Sequence, residues 1–530
     1  MGNKKILDCT LRDGGYINEW QFGEDIIKDI IFKLVEAKTD YVEIGFLRNC
    51  RYDKNATLFN NIEEAKRVLP SDKRDTKFSL MALHNNYDIN KLEENDGETI
   101  DIIRVTFHDY DIDEGLVFCA EVIKKGYKCF CNPINIMGYS DENLLKLISK
   151  VNKLRPYGFS IVDTFGAMMR TDLMRIYSIV EHNLDSDITI GLHLHENLSL
   201  AYSLAQDFIK TCAEQRNIVI DGSLLGMGRV PGNLCIELFM DYMNRSYSKE
   251  YEINFVLDAI DEYITPIKSQ SAWGYSIEYA LSAKYNLHRN YAEYLIQKER
   301  LCVKDINNIL ARIESAKKTA FDKEYIEKLY KNYLDVKTDD SEAVRLVKEQ
   351  IDHKKVLIIA PGASINRNKE DICKYIEKEH PFVVMANFYD SSFCADAAFF
   401  SNLRRYDKYL IGDKAESLWT TSNIIQAREC SDYVFDFWRL VYDGRELVDN
   451  SIIIILKLLI QIGVKEVAIA GMDGYKKTGN YTTKFYDRKN NDSRYKKNNA
   501  LITQCIRNLR LKLNIKFITE SIYDKEKAYE

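Results

Sequence analysis

The chain has 530 residues, 46% apolar and 29% charged, with a formal net charge of −6. That length exceeds one ordinary core and asks for several domains of about 150 residues, or fewer if one is an α/β barrel of about 250. The composition excludes wholesale disorder, the slight acidity argues against a nucleic-acid partner, and no run of 18 apolar residues marks a membrane span, since the longest stretch, 452–462, is broken by Lys457 and Gln461.

The N-terminal MGNKKILDCT enters a strand-like run at once, without the apolar core of a secretory leader, and Ile6 stands where a myristoylation signal needs Ser or Thr. Twelve cysteines are scattered with no C-x-x-C pair, which predicts reduced thiols in a cytoplasmic protein. Strand-like runs follow at KKILDCTL, YVEIGF, KFSLMAL, IIRVTFH, KCFCNPIN, GFSIVDT, ITIGLHLH and IVIDGSLLG. Helical periodicity separates them, as in Glu24–Glu36, Asp141–Leu154 and 198–213. Eight strand–helix units are the count of a (β/α)8 TIM barrel over residues 1–250, with a doubly wound open sheet as the alternative. From 251 to 350 strands give way to helical stretches at 276–285, 290–298 and 305–317, an appendage ending in the polar linker 335–342. Residues 351–530 return to α/β alternation, with strands at KVLIIA, FVVMAN, DAAFFS, DYVFDF, EVAIAG and IKFIT, and predict a Rossmann-like domain. The polar stretch 476–497 reads as an exposed loop. Internal repeats are absent.

Barrel chemistry collects at the C-terminal ends of strands. Three features fall there: Asp8 to Gly15 after strand one, His193-Leu194-His195 at the end of strand seven, and Gly226 to Asn233 after strand eight. Side chains two apart on a strand share a face, so His193 and His195 reach one space. With Asp13 they offer three ligands and leave positions open, the layout of a catalytic metal site.

LRDGG on strand one, HLHENLSLA on strand seven and GMGRVPGN after strand eight resemble the DRE-TIM metallolyases (HMGL-like), which include hydroxymethylglutaryl-CoA lyase, isopropylmalate synthase and homocitrate synthase. IIRVTFH and SIVDTFGAM place the likeness nearest the 4-hydroxy-2-oxovalerate aldolase branch, over about residues 5–245. The resemblance implies a divalent metal, Mn2+ or Mg2+, on Asp13, His193 and His195, with Asn233 as a further ligand. It implies that Arg12 stabilises an enolate and that Glu43 lies near the site. The expected reaction is carbon–carbon cleavage of a 4-hydroxy-2-oxo acid through a pyruvate enolate, in sugar or surface-polysaccharide precursor synthesis. The alternatives are an acyl-CoA/2-oxo acid condensing enzyme and a sugar-nucleotide binding protein with a non-lyase barrel. The sequence departs from the branch at Tyr16, where a histidine serves as base. His108, and less so His84, are the substitutes at strand ends. Trp273-Gly274-Tyr275 lies in the segment that, in this branch, meets a partner dehydrogenase; here it reads as a helical cap or a homo-oligomer contact.

In the last third, Pro361-Gly362-Ala363-Ser364, Asn387 and Gly471-Met472-Asp473-Gly474 lie at strand ends. Their order resembles sialyltransferase-like nucleotide-binding domains and implies Gly362, Ser364, Asn387 and Asp473 as binders of a nucleotide or nucleotide-linked sugar. The catalytic histidine of such transferases has no counterpart, because no histidine follows His380.

Overall fold

Eight apolar runs in the first 222 residues become parallel strands: β1 (Lys4–Asp8), β2 (Tyr41–Leu47), β3 (Lys77–Leu83), β4 (Ile102–Phe107), β5 (Lys128–Pro133), β6 (Gly158–Val162), β7 (Thr189–His193) and β8 (Ile218–Gly222). In this computed structural model each pairs with the next, β8 pairs with β1 at Lys4↔Ile218, and β1 pairs with β2 at Leu7↔Tyr41. The sheet is therefore a closed barrel and not the open alternative. Both faces of the strands are covered, which is why they read as continuous apolar runs and lack alternation; β2 is buried at all seven positions. Residues 2–229, 231–298, 301–335, 337–441, 449–476, 479–482 and 492–524 are described.

The period of two sorts the barrel interior into layers. Leu7, Tyr41, Ile102, Phe130 and Val219 form an apolar plug. Two residues further along β2, β4 and β8 stand Glu43, Arg104 and Asp221, all buried. Charge thus replaces hydrocarbon toward the C-terminal ends. A register shift in β2 falls between Glu43 and Phe46, beside a short strand, Leu58–Phe59. Gly45 permits it: a Cβ there would lie 2.1 Å from the Thr57 carbonyl oxygen.

Two compact units divide the chain, Met1–Tyr294 with Ile313–Asp322, and Leu295–Arg312 with Lys323–Glu530. The helical stretch 251–350 is shared between them, and the polar segment 335–342 lies within the second. Among its described residues that unit holds seven parallel strands: β9 (Val356–Ile359), β10 (Phe382–Ala386), β11 (Ala397–Phe400), β12 (Ser417–Thr421), β13 (Tyr433–Phe435), β14 (Glu466–Ala470) and β15 (Asn514–Phe517). Their order is β13-β12-β11-β10-β9-β14-β15, an open α/β sheet. The apolar helix Ser451–Ile462 is buried almost all round in this unit, and no helix among the described residues is long and apolar enough to cross a membrane. Of the loop expected at 476–497, residues 477–478 and 483–491 lie outside the described residues, and 492–497 instead begin a helix, Asp492–Arg510.

Candidate metal centre

Asp13 ends a single helical turn, Thr10–Asp13, directly after β1. His193 is the last residue of β7, and His195 follows it on the same side. Their ligand atoms, one from each residue, all lie within 4.8 Å of one another. Each ring is turned by a partner behind it. His193 Nδ1 meets Asp221 Oδ2 at 3.0 Å, and His195 Nδ1 meets the Asp163 carbonyl oxygen at 2.8 Å. With each Nδ1 engaged as the donor, both Nε2 lone pairs are left for the centre. Burial, reinforced by His193, holds His195 down at about 4, so its ring is neutral and can ligate.

Burial opposes ionisation of Asp13, yet Arg12 and both imidazoles outweigh it and hold the carboxyl well below the usual range. Asn233 donates from Nδ2 to Asp13 Oδ2 at 2.6 Å. Its Oδ1 is buried with no hydrogen-bond partner. A buried carbonyl oxygen without a donor is costly, and a cation beside it removes the cost. Two imidazole nitrogens, a carboxylate and an orphaned amide oxygen are a donor set that fits a divalent ion with open positions.

Around this set runs a chain of buried charges. Arg12 donates from Nε to Glu43 Oε2 and from Nη1 to Asp13 Oδ1, both at 2.6 Å. Arg104 donates to Glu43 Oε1 at 3.3 Å and to Asp221 Oδ2. Asp221 returns the chain to His193. Among sequence-expected residues the structure brings together Arg12, Asp13, Glu43, His193, His195 and Asn233. Arg104 and Asp221, their partners, were not singled out, although each is a lone charge in an apolar strand run.

The other expected residues stand apart from this chain. Tyr16 is 38% exposed, with its ring edge-on to Trp20 at 4.8 Å and under the Arg229 guanidinium at 5.7 Å. His108, just past β4, stacks on Tyr110 at 4.7 Å and places Nδ1 3.5 Å from Asp111 Oδ2. His84 approaches the same carboxylate at 3.4 Å. Trp273 and Gly274 cap the loop after β8: the Trp273 indole donates to the Leu225 carbonyl at 2.9 Å, and Gly274 N–H donates to Pro231 O at 2.7 Å.

In the second unit the Gly362 turn ends β9 and the Asp473 turn follows β14, its neighbour. The sheet changes direction there, the position where open α/β sheets bind ligands. Gly362 N–H donates to Gly471 O at 2.9 Å, and Ser364 donates from its backbone N–H to Asp473 Oδ2 at 2.8 Å and from its hydroxyl to Oδ1. Asn387, with φ of 59°, accepts the Ser401 N–H on Oδ1 at 2.9 Å. Both Ser364 donors are thus engaged by an internal carboxylate and the Gly362 donor by a backbone carbonyl.

Residues 110–261 match the HMGL-like family model. Over 258 residues the chain is 23% identical to an oxaloacetate decarboxylase of Mycobacterium tuberculosis, covering 48% of this chain and 74% of the relative. Over 270 residues it is 23% identical to a 4-hydroxy-2-oxovalerate aldolase of Bacillus cereus, covering 50% and 76%. A solved N-terminal domain of a Bacteroides vulgatus protein aligns at 24% identity and a TM-score of 0.48, over 55% of this chain and 96% of that one. The HMG-CoA lyase of Brucella melitensis aligns at 12% and 0.41, over 51% and 100%.

Proposed function

We propose, from the premise that the barrel is an HMGL-like domain of the DRE-TIM superfamily, that it is a divalent-metal lyase cleaving the C3–C4 bond of a 4-hydroxy-2-oxo acid. The single observation that carries the reading is the convergence of Asp13, His193 and His195, whose ligand atoms lie within 4.8 Å of one another at the strand ends. A divalent ion, Mn2+ or Mg2+, would supply Lewis acidity to the substrate there. Asp13, His193, His195 and Asn233 would hold it.

Arg12 has Nε committed to Glu43 and one Nη1 hydrogen to Asp13. Its remaining donors are positioned by those two carboxylates to meet an oxyanion developing on the keto oxygen. As the C3–C4 bond breaks, its electron pair becomes the enolate and the 4-hydroxyl loses its proton. His108 is the proposed acceptor, oriented by Asp111, with Tyr16 as a hydrogen-bond donor to the substrate. Pyruvate forms when the enolate is protonated at carbon.

The oxaloacetate decarboxylase among the relatives supports a second reading. Decarboxylation of a 2-oxo dicarboxylate leaves the same enolate and needs no base for a hydroxyl. Tyr16, where the aldolase branch carries its histidine, favours that reading. The test is turnover of Mn2+-loaded protein on a panel of 4-hydroxy-2-oxo acids and on oxaloacetate, with His108→Ala and Tyr16→Phe alongside. Aldol cleavage lost more in His108→Ala than in Tyr16→Phe is the expected result. Turnover of oxaloacetate alone, insensitive to His108, would replace cleavage by decarboxylation.

A further inference from the structure

The barrel unit carries a second group of basic side chains that the metal chemistry leaves unused. Gly228 packs on the centre so closely that a Cβ would lie 2.7 Å from Asp13 Oδ2. Arg229 follows it and places Nη2 3.3 Å from His288 Nε2. His288 comes from the helical stretch beyond the barrel. Its ring is held by Phe165 at 5.9 Å and Phe321 at 6.2 Å. Its other nitrogen, Nδ1, faces the backbone N–H of Asn290 at 3.2 Å.

A neutral imidazole has one lone pair to offer. Here two donors, Asn290 N–H and Arg229 Nη2–H, face its two nitrogens. In either tautomer one of the contacts sets donor against donor. Protonating the ring would make both contacts so, and burial with Arg229 and Arg289 nearby holds His288 down at about 4. Arg289 adds a second, partly buried guanidinium, 3.7 Å from Glu293. Arg229 has no carboxylate within ion-pair reach among the described residues; its contacts are His288 and the Tyr16 ring. An oxyanion seated between Arg229 and His288 resolves the mismatch. Nδ1 then accepts from Asn290, and the anion accepts from both Nε2–H and the guanidinium.

We propose that Arg229, flanked by His288 and Arg289, forms a subsite for a second oxyanion of the substrate, a carboxylate or phosphate distal to its 2-oxo acid end. The substrate is then at least dianionic, one end held at the metal centre and the other at Arg229. Only the assignment of the first end rests on the function proposed above.

The test is calorimetric titration of the full-length, Mn2+-loaded protein, saturated with oxalate at the metal centre, with inorganic phosphate and with malonate at fixed ionic strength. The same titrations on the metal-free chain read the arginine subsite independently. Binding of one probe to the wild type should weaken about tenfold or more in Arg229→Gln, as loss of a charged, bidentate donor predicts. Arg289→Gln should weaken it less and keep its oxalate affinity. A preference for phosphate assigns a phosphorylated fragment; a preference for malonate assigns a dicarboxylate. Absence of binding by both probes, or affinity unchanged in Arg229→Gln, overturns the subsite. Failure of oxalate alone, with the metal-free titrations unchanged, sinks the metal-centre reading and leaves the subsite standing.

Discussion

His193 reaches the centre with its ring already turned, because Asp221 holds Nδ1 at 3.0 Å and is itself held by Arg104. Removing that orienting carboxylate should cost more metal affinity than stability. Asp221→Asn is expected to weaken Mn2+ binding about 10- to 100-fold in a calorimetric titration, the usual loss for such partners of a ligating histidine. Arg104 is different, since it balances two buried carboxylates at once. Arg104→Met leaves Glu43 and Asp221 short of a cation, and equilibrium urea unfolding should show a loss of about 3–5 kcal/mol. Asp8 gives the pH dependence. Burial lifts its pKa from 3.8 to about 7, against the bonds it accepts from Thr10. A raised folded pKa on an acid means a stability penalty that is full above about 7 and is relieved as pH falls toward 4. Relative to Asp8→Asn, the wild type should therefore gain up to about 1.4 kcal/mol per pH unit on going down through that window. His195 titrates in the opposite sense, but in both proteins, and cancels in the difference. A difference flat from pH 8 to 5 would show that Asp8 stays charged when buried and that its pKa is not raised. His193 and His195 were legible in the sequence because they stood two apart at a strand end, and Asp13 because it stood just past the end of strand one. Arg104 and Asp221 were not, because a lone charge inside a strand does not reveal its partner until the barrel closes. His288 and Arg289 come from a helical stretch to which no strand-end rule applies.

The loop after β8 holds the centre against its own strand ends. Asn233 donates to Asp13 while Met227 O accepts from the same amide at 3.3 Å, so the loop and the first strand share one side chain. Gly228 is the point of closest approach, where an added Cβ would lie 2.3 Å from Asn233 Nδ2 as well as 2.7 Å from Asp13 Oδ2. Gly228→Ala must push the amide or the carboxylate aside. Mn2+ affinity should fall at least about tenfold while the far-ultraviolet circular dichroism stays that of the wild type, since the strands do not depend on this loop. Unchanged affinity would mean that the loop yields freely. Strand placement in the barrel was readable because strands covered on both faces show as bare apolar runs between amphipathic helices. In the second unit the run SLWTT escaped that reading. β12 has Ser417 at one end and Thr420 and Thr421 at the other, and these polar residues are buried by hydrogen bonds such as that between Thr420 and Ser431 at 2.8 Å. Hydrogen-bonded burial of hydroxyls leaves no apolar pattern to read.

At the scale of the whole chain, the two units are threaded through each other's sequence: the chain leaves the first after Tyr294, returns for 313–322 and leaves again. The helical region therefore could not be divided by composition alone, since both units draw on it. Each unit has its own core, one around the barrel and others on the open sheet. Separate cores predict separate melting, and a ligand that binds one native unit should stabilise that unit alone. Scanning calorimetry of the full chain should show two transitions, and Mn2+ should raise only the barrel's. At a metal concentration about 100 times the dissociation constant the gain is about 2.7 kcal/mol, a shift of a few degrees for a unit of this size. Asp13→Ala should abolish the shift and leave the other transition where it was. A single transition that moves as a whole with Mn2+ would show that the interleaved segments couple the two units into one cooperative fold, and metal bound at the barrel would then also stabilise the open sheet.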